Sequence, residues 1–373
     1  MPIKGKNKLK IAVAMSGGVD SSVAAALLKR QGRQVVGIFL HFWKEDVPPD
    51  KGGVRGVFEN KCCSLKALTD ARRVADKIGI PLYVLNFSEI FKKQVVDNFL
   101  SQYQSGLTPN PCIRCNKLVK LGWLLRQAKK LGFDYVATGH YVISKKTRKQ
   151  ENKKIIYKLF KAKDKTKDQS YFLYTLNQAE LKHLLFPLGG YTKPQVRRLA
   201  KKLKLPVAEK PDSQEICFIP EKNHNEFLRR HLKLRPGLIK TFGGKILGHH
   251  QGLPLYTIGQ RKGIEIGGTG PYYAAKMDYK KNILYVVNDG NDKRLYGEKL
   301  IIKDVNWLSG AAPKLPLNCQ AVIRYGHKPV KCQVVKSGGN YLVKFTELER
   351  AITPGQSVVF YQGEKVLGGG IIK

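Results

Sequence analysis

The first 140 residues alternate short runs rich in β-branched residues with amphipathic helical stretches, and no other feature limits the fold as strongly. "KIAVAMS" predicts a strand, and Val19–Arg30 a helix whose apolar residues recur at Val23, Leu27 and Leu28. "QVVGIFLHF", "PLYVLNF" and "DYVATGHY" predict three further strands, with "LKALTDARRVADKIG" and "VKLGWLLRQAKKLG" as helices between them. A Gly/Pro-rich excursion interrupts the pattern at 47–56, and another helix precedes a loop that carries Cys112 and Cys115. Strands alternating with helices of this length predict a parallel sheet covered on both faces, with ligands collecting at the carboxyl ends of its strands.

A basic, irregular insertion is expected over about 144–168, and helices return from Tyr171, including "TKPQVRRLAKKLKL". From about Gly237 the pattern changes to short strands between Gly-rich turns, which predicts small antiparallel barrels or sandwiches. The expected fold class is therefore α/β with a parallel-sheet domain over 1–222, then a small central β-rich domain over 223–290 and a C-terminal β-barrel over 291–373.

Charge narrows the partner. Among 373 residues, 67 Lys+Arg face 28 Asp+Glu, a net charge of +39. So large an excess favours a polyanion, because neutralising phosphates releases counterions and steers encounter at long range. Seven cysteines, an odd number in a long chain, do not form a secreted disulfide framework and are expected as thiols for chemistry or metal. The opening "MPIKGKNKLKIAVAM" imitates a signal peptide, but its apolar run is too short and leads into a turn and a helix. No stretch approaches the ~18 apolar residues of a membrane span, so a cytoplasmic protein without a membrane partner is expected.

"AMSGGVDSSVAAALL", from Ala14 to Leu28, reads as strand, glycine turn and helix. Backbone N–H groups in such a turn, with the positive end of a helix behind them, cradle an anion. Ala14 to Ser21 therefore form the candidate nucleotide site: Ser16, Ser21 and Ser22 add hydroxyls, and Gly17 and Gly18 let the backbone approach phosphate closely. Asp20 is a candidate ligand for Mg²⁺ on a pyrophosphate. The loop lacks the G-K-[ST] of a Walker A motif and the G-x-G-x-x-G of a dinucleotide site. Farther on, the C-x-x-C of "TPNPCIRCNKLVK" is compatible with half a zinc site, a redox pair, a cluster ligand set or an enzyme nucleophile, and spacing cannot choose.

The S-G-G-x-D-S loop, spanning Ser16 to Ser21 after Ala14, Met15 and including Val19, resembles the signature of the PP-loop ATP pyrophosphatases, which have an adenine nucleotide alpha-hydrolase-like fold. These enzymes attach AMP to a substrate oxygen and release pyrophosphate. Blocks over nearly the whole chain narrow the resemblance: "TPNPCIRCNKLVK", "ATGHY", "KDQSYFLYTL", "PDSQEICFI", "TIGQRKG" and "TPGQSVVFYQGEKVLGGGII" are similar to those of the bacterial tRNA-specific 2-thiouridylases. That family replaces the C2 oxygen of the wobble uridine with sulfur. The chemistry is coherent: a uridine oxygen leaves poorly until adenylated, and a cysteine persulfide then supplies sulfur.

The resemblance implies roles residue by residue. Cys115 is the catalytic thiol, Cys217 carries the persulfide received from a sulfur-relay protein or cysteine desulfurase, and the two form a disulfide after transfer. Gly139 and the backbone of Leu40 contact ATP, and His140 contacts tRNA. Asn110, Pro111 and Cys112 border the target base, which must leave the anticodon stack. Lys167, Asp168 and Gln169 match another tRNA-contacting segment, and Arg324, Tyr325 and Gln356 match anticodon-loop contacts, with His327 and Lys328 as neighbours. The insertion from Lys145 to Lys167, with eleven Lys/Arg against Glu151 and Asp164, is a candidate for phosphate contacts. A monomer is expected.

One departure stands out. Many family members carry an acidic residue where this chain has Cys112. With Cys115 and Cys217 it makes three thiols, a set that also suits a [4Fe–4S] cluster whose open iron holds the sulfur. Structural zinc would need a fourth ligand. The vicinal Cys62 and Cys63 are expected to be partly buried rather than extra ligands. Other readings are a PP-loop amidation of a small carboxylate, or a non-catalytic RNA-binding protein with a metal clip. The first gives the cysteine blocks no task, and the second leaves the S-G-G-V-D-S loop unexplained.

Overall fold

Ile11, Ala12 and Val13 are at most 1% exposed, because their strand lies in the middle of its sheet with helices packed around it. The computed structural model describes residues 9–47, 56–58, 64–148, 155–212, 216–219, 224–264, 266–267 and 270–373. In chain order the first strands are β1 (Lys10–Met15), β2 (Gln34–His41), a small ribbon of β3 (Glu45–Val47) and β4 (Gly56–Phe58), β5 (Leu82–Asn86) and β6 (Tyr135–Ala137). They are followed by β7 (Val142–Arg148), β8 (Ile155–Lys161) and β9 (Leu184–Leu185). Five of them pair in parallel in the order β5–β2–β1–β6–β9. Strand order reverses between β1 and β6, so a crevice opens at their carboxyl ends. Helix α1 (Val19–Arg30) leaves β1 at that crevice, and α2 (Leu65–Ile78) lies beside it. The alanines of α1 are buried, which lets its backbone pack closely.

The alternation thus produced the expected parallel sheet, with two local corrections. The stretch expected as a cysteine loop is helical: Pro111–Cys115 forms an α-helical turn, Asn116–Trp123 a wider π-helical stretch and Leu124–Lys130 a further α-helix. Asn110 Oδ1 accepts the Ile113 N–H at 3.2 Å and Pro111 takes the first helical position, so the Asn-Pro pair starts a helix. The basic insertion is not irregular throughout either. Most of its described part belongs to the antiparallel hairpin β7–β8, whose alternation is obscured in sequence by lysines on both faces, and only 162–168 is irregular. The fifth strand, β9, has two residues and no periodicity to detect.

The next sheet holds β10 (Gly237–Lys240), β11 (Ile246–His250), β12 (Tyr273–Asp278) and β13 (Ile283–Val287) in the order β11–β10–β13–β12. The last strands are β14 (Tyr296–Trp307), β15 (Leu317–Val322), β16 (Val330–Ser337), β17 (Asn340–Arg350), β18 (Ser357–Gln362) and β19 (Lys365–Ile372). They pair antiparallel as β14–β17–β16–β15–β18–β19 and close through β14–β19, giving a six-stranded barrel around its own core of Leu300, Ile302, Val334, Val343, Val358 and Phe360. The hairpin β7–β8 extends this sheet, Phe160 of β8 pairing with Lys365 of β19.

The barrel also docks on the helix-start segment. Gln356 Nε2 donates to Thr108 O at 2.9 Å, Thr108 N–H donates to Pro354 O at 2.9 Å, and the Tyr171 hydroxyl donates to Ser357 O at 2.8 Å. Among the described residues, no helix is long and apolar enough to cross a membrane.

Candidate active site

At the β1–α1 turn the hydroxyls organise the backbone. The Ser16 N–H donates to Ser21 Oγ at 3.2 Å, and the Ser21 and Ser22 hydroxyls donate to Gly18 O at 3.1 and 2.8 Å. Gly18 is the N-cap of α1 and supplies no side-chain acceptor, which leaves the first-turn N–H groups to an anion. The cradle is tight. A Cβ on Gly17 (φ +66) would lie 2.1 Å from Ala67 O in α2, and one on Gly139 would lie 2.8 Å from Asp20 C and Ser21 N. The strand-exit residue Gly139 thus crosses the first turn of α1 in direct contact. The side chains of Met15, Val19 and Leu40 are buried and that of Ala14 is partly buried, so at these positions the backbone is what faces the crevice.

Gly17→Ala is therefore expected to cost about 1–3 kcal/mol for the left-handed backbone, before the collision with Ala67 is counted, and to abolish ATP binding. A urea titration and an ATP-binding isotherm check it; wild-type values for both would show that the turn relaxes freely.

Behind the cradle lies a charge network that the sequence analysis did not single out. Lys193, the first residue of the helix Lys193–Lys202, is buried, and its Nζ bonds Asp20 Oδ1 and Oδ2 at 2.8 and 2.9 Å and Asp212 Oδ1 at 2.7 Å. Asp212 also receives Lys167 at 2.9 Å and Arg197 at 2.8 Å. Burial alone would raise the Asp212 carboxyl, but the hydrogen bonds from Lys193 and Lys167 outweigh it and hold it below the ordinary carboxylate value. The Tyr141 hydroxyl donates to Asp20 Oδ1 at 2.7 Å; burial, then the Asp20 charge, push it far above its ordinary value, so it stays a donor. Lys210 Nζ bonds Gly17 O at 2.9 Å and Asp70 Oδ2 at 2.6 Å, which ties α2 to the turn. Asp212 stands in the "PDSQEICFI" block, the one sequence signal that pointed here; burial of Lys193 has no local signature.

His140 sits where the chain leaves β6, its Nδ1 2.9 Å from Thr138 Oγ1. Burial, with repulsion from Lys120 added, drives its imidazole down to about 3. The folded protein therefore holds a neutral ring where the unfolded chain, with a value near 6.5, takes up a proton. Stability should fall as pH drops from about 6.5 toward 3 through this group, and His140→Gln should flatten that part of the profile. Urea midpoints across pH check it; an unchanged slope in the variant would refute the assignment.

Cys115 is 4% exposed within the main core, whereas Cys112, three residues earlier on the same helix, is half-buried. Pro111 is buried and Asn110 spends its Oδ1 on the helix cap, so of the expected target-base residues Cys112 is the one not committed to starting the helix. The Arg114 guanidinium bonds the Gln94 backbone carbonyl, which packs the Cys115 helix on the helical stretch running from Ser88 to Gln104. Cys217, half-buried, precedes Phe218, whose ring meets Phe91 at 5.8 Å and Phe99 at 5.3 Å on that same stretch. Both cysteine segments therefore share one helical support.

The expected RNA contacts divide. Tyr325 is 45% exposed, and its ring lies 4.5 Å from that of Phe172 at a 44° tilt, an aromatic pair open to solvent. Arg324 bonds Ala351 O at 3.3 Å, and Gln356 uses its amide on Thr108. Lys167 is held by Asp212, Asp168 accepts from Ala162 N at 2.8 Å and Ser170 Oγ at 2.7 Å, and Gln169 accepts from Tyr141 N at 3.0 Å. These last three shape the loop as well as lying beside the crevice.

Two metal expectations gain no support from the residues as placed. Both Asp20 oxygens are bonded by Lys193, and Oδ1 also by the Tyr141 hydroxyl. Among the described residues, no group of three or more His, Cys, Asp or Glu is arranged to hold a metal ion, so the cluster reading of Cys112, Cys115 and Cys217 gains no support from this arrangement. Cys62 and Cys63 lie outside the described residues.

Residues 9–221 match the family described as tRNA methyl transferase HUP domain, residues 225–288 the tRNA methyl transferase PRC-barrel domain, and residues 297–372 the aminomethyltransferase beta-barrel domain. Over its full length the chain is similar to proteins named tRNA-specific 2-thiouridylase. It is 47% identical over 367 residues to that of Carboxydothermus hydrogenoformans, covering 98% of this chain and 97% of the relative. It is 46% identical over 367 residues to the MnmA 2 protein of Caldanaerobacter subterraneus subsp. tengcongensis, covering 98% of each. To the protein of Heliobacterium modesticaldum it is 44% identical over 370 residues, covering 98% of this chain and 92% of the relative.

Proposed function

The chain belongs to the tRNA-specific 2-thiouridylases, and on that premise we propose that it activates the C2 oxygen of the wobble uridine of tRNA with ATP and replaces it with sulfur carried by cysteine. The chain is a tRNA-uridine 2-sulfurtransferase with a nucleotide-binding first domain. The observation that carries the mechanism is the open N-terminus of α1 beside Gly139 at the switch point of the sheet, with the two cysteine segments supported on one neighbouring helix.

ATP lies with its phosphates over the turn from Ser16 to Ser21, whose N–H groups take the negative charge, and its adenine against the backbone of Leu40. The uridine O2 attacks the α-phosphorus, and pyrophosphate leaves. The terminal sulfur of a Cys217 persulfide then attacks C2 and AMP departs with the oxygen. The Cys115 thiolate finally attacks Cys217 Sγ, breaking its bond to the transferred sulfur; thiouridine is released and a Cys115–Cys217 disulfide remains for an external dithiol to reduce. His140, neutral, positions the RNA by a hydrogen bond rather than by charge. The sulfur enters from a donor protein that presents a persulfide.

The test is pyrophosphate release with and without tRNA, followed by mass analysis of the digested RNA. Release that requires tRNA, with sulfur at the wobble uridine, is expected. Release without tRNA would point to a small-molecule substrate, and a methyl group in place of sulfur would favour the chemistry named in the matching domain descriptions.

A further inference from the structure

Lys145 and Lys158 stand directly opposite one another in the β7–β8 hairpin, an arrangement that opposes folding. Lys145, Lys146 and Arg148 are exposed, and among the described residues no carboxylate pairs with them or with Lys158. The acid within the described stretch, Asp164, is turned inward onto the Lys193 N–H at 2.8 Å and Thr166, and Glu364 takes Lys165. The repulsion reaches the next strand, where burial and then Lys158 push the Lys365 amine down. This cationic surface is anchored at its β8 strand. Tyr157 exchanges two 2.8 Å hydrogen bonds with the Gln178 amide, and Phe160 pairs with Lys365 of the barrel. A solvated flexible loop would need neither.

Resting on the thiouridylase reading, we propose that the β7–β8 hairpin is an RNA-docking arm that binds the phosphates of a helical stem of the substrate tRNA, away from the uridine being thiolated. The hairpin begins at Val142, two residues after His140, and rises about 3.4 Å per residue. Measured along the strand from Val142, its charges at Lys145, Lys146 and Arg148 therefore lie about 10 to about 20 Å from the base of the hairpin. Extending the barrel sheet, whose β15–β16 connection carries Tyr325, the arm continues the RNA path from the anticodon loop to the stem.

The test uses the full chain with Lys145, Lys146 and Lys158 all changed to Gln, and two probes: whole tRNA and a single-stranded oligonucleotide of the anticodon-loop sequence. Binding to tRNA should weaken, and the slope of log K against log salt should shrink by about two to three units, at about 0.7–0.9 per cation removed. Binding to the oligonucleotide should not change, and the corresponding Lys→Arg triple variant should bind tRNA as the wild type does. Unchanged tRNA binding, equal loss on both probes, or loss in the Arg variant would each overturn the arm. A wild-type protein that binds neither RNA would overturn the thiouridylase reading itself.

Discussion

Cys115→Ala is expected to lower thiolation by a factor on the order of 10³ or more in the absence of added thiol, while tRNA-dependent pyrophosphate release continues. The two activities separate because adenylation draws on the α1 turn, whereas Cys115 acts only when sulfur must be cut free from Cys217. The buried thiol behaves as a small hydrophobe, so alanine should leave the fold intact. The variant should also accumulate an RNA–protein adduct, joined through uridine C2, the transferred sulfur and Cys217 Sγ, that a dithiol releases. Cys217→Ala should be equally inactive and form no adduct. Thiolation by Cys115→Ala at the wild-type rate without thiol, or adduct formation in Cys217→Ala, would reverse the two roles.

Lys193→Met should destabilise the protein by about 3–5 kcal/mol, because one ammonium compensates two carboxylates at a partly buried position. In a domain of this size that corresponds to a fall in Tm on the order of 10 °C. Asp212 would keep Lys167 and Arg197, but Asp20 would keep only the Tyr141 hydroxyl among the partners described above. The pH dependence has a definite sign. The Asp212 carboxyl is held low in the folded state, so its contribution is present above the unfolded value near 3.9 and is lost as pH falls through the folded one. The gap between wild type and variant should therefore be widest near neutrality and narrow below about pH 4. Melting curves from pH 3 to 7 check this. An unchanged Tm at pH 7 would mean that the network is not load-sharing, and Lys193→Arg should recover part of the loss.

How far local pattern reaches is clearest at particular elements. The β1–α1 turn was legible because its cause is local: an apolar strand, two glycines that permit close backbone approach, and a helix within fifteen residues. The alternation of strands and helices led in the same way to the parallel sheet. The cysteine helix was misread for a reason also visible locally, since Asn-Pro serves a turn as readily as a helix start, and only the 3.2 Å bond from Ile113 to Asn110 distinguishes them. The hairpin was misread because lysines hid its period.

The sequence by itself determined the candidate nucleotide turn, the class of the first sheet, the β-rich character of the last third and, through matching blocks, which cysteines are candidates for sulfur transfer. Tertiary structure alone decided that Lys193 bridges Asp20 and Asp212, that the barrel closes and recruits a hairpin from the first domain, and that Gln356 meets Thr108. The physical reason is distance along the chain. Tyr141 and Asp20 are 121 residues apart, Lys193 and Asp20 are 173, and Gln356 and Thr108 are 248. Periodicity reports which face of an element is apolar, but buried charge pairing and barrel closure depend on which distant faces meet, and no local pattern encodes that.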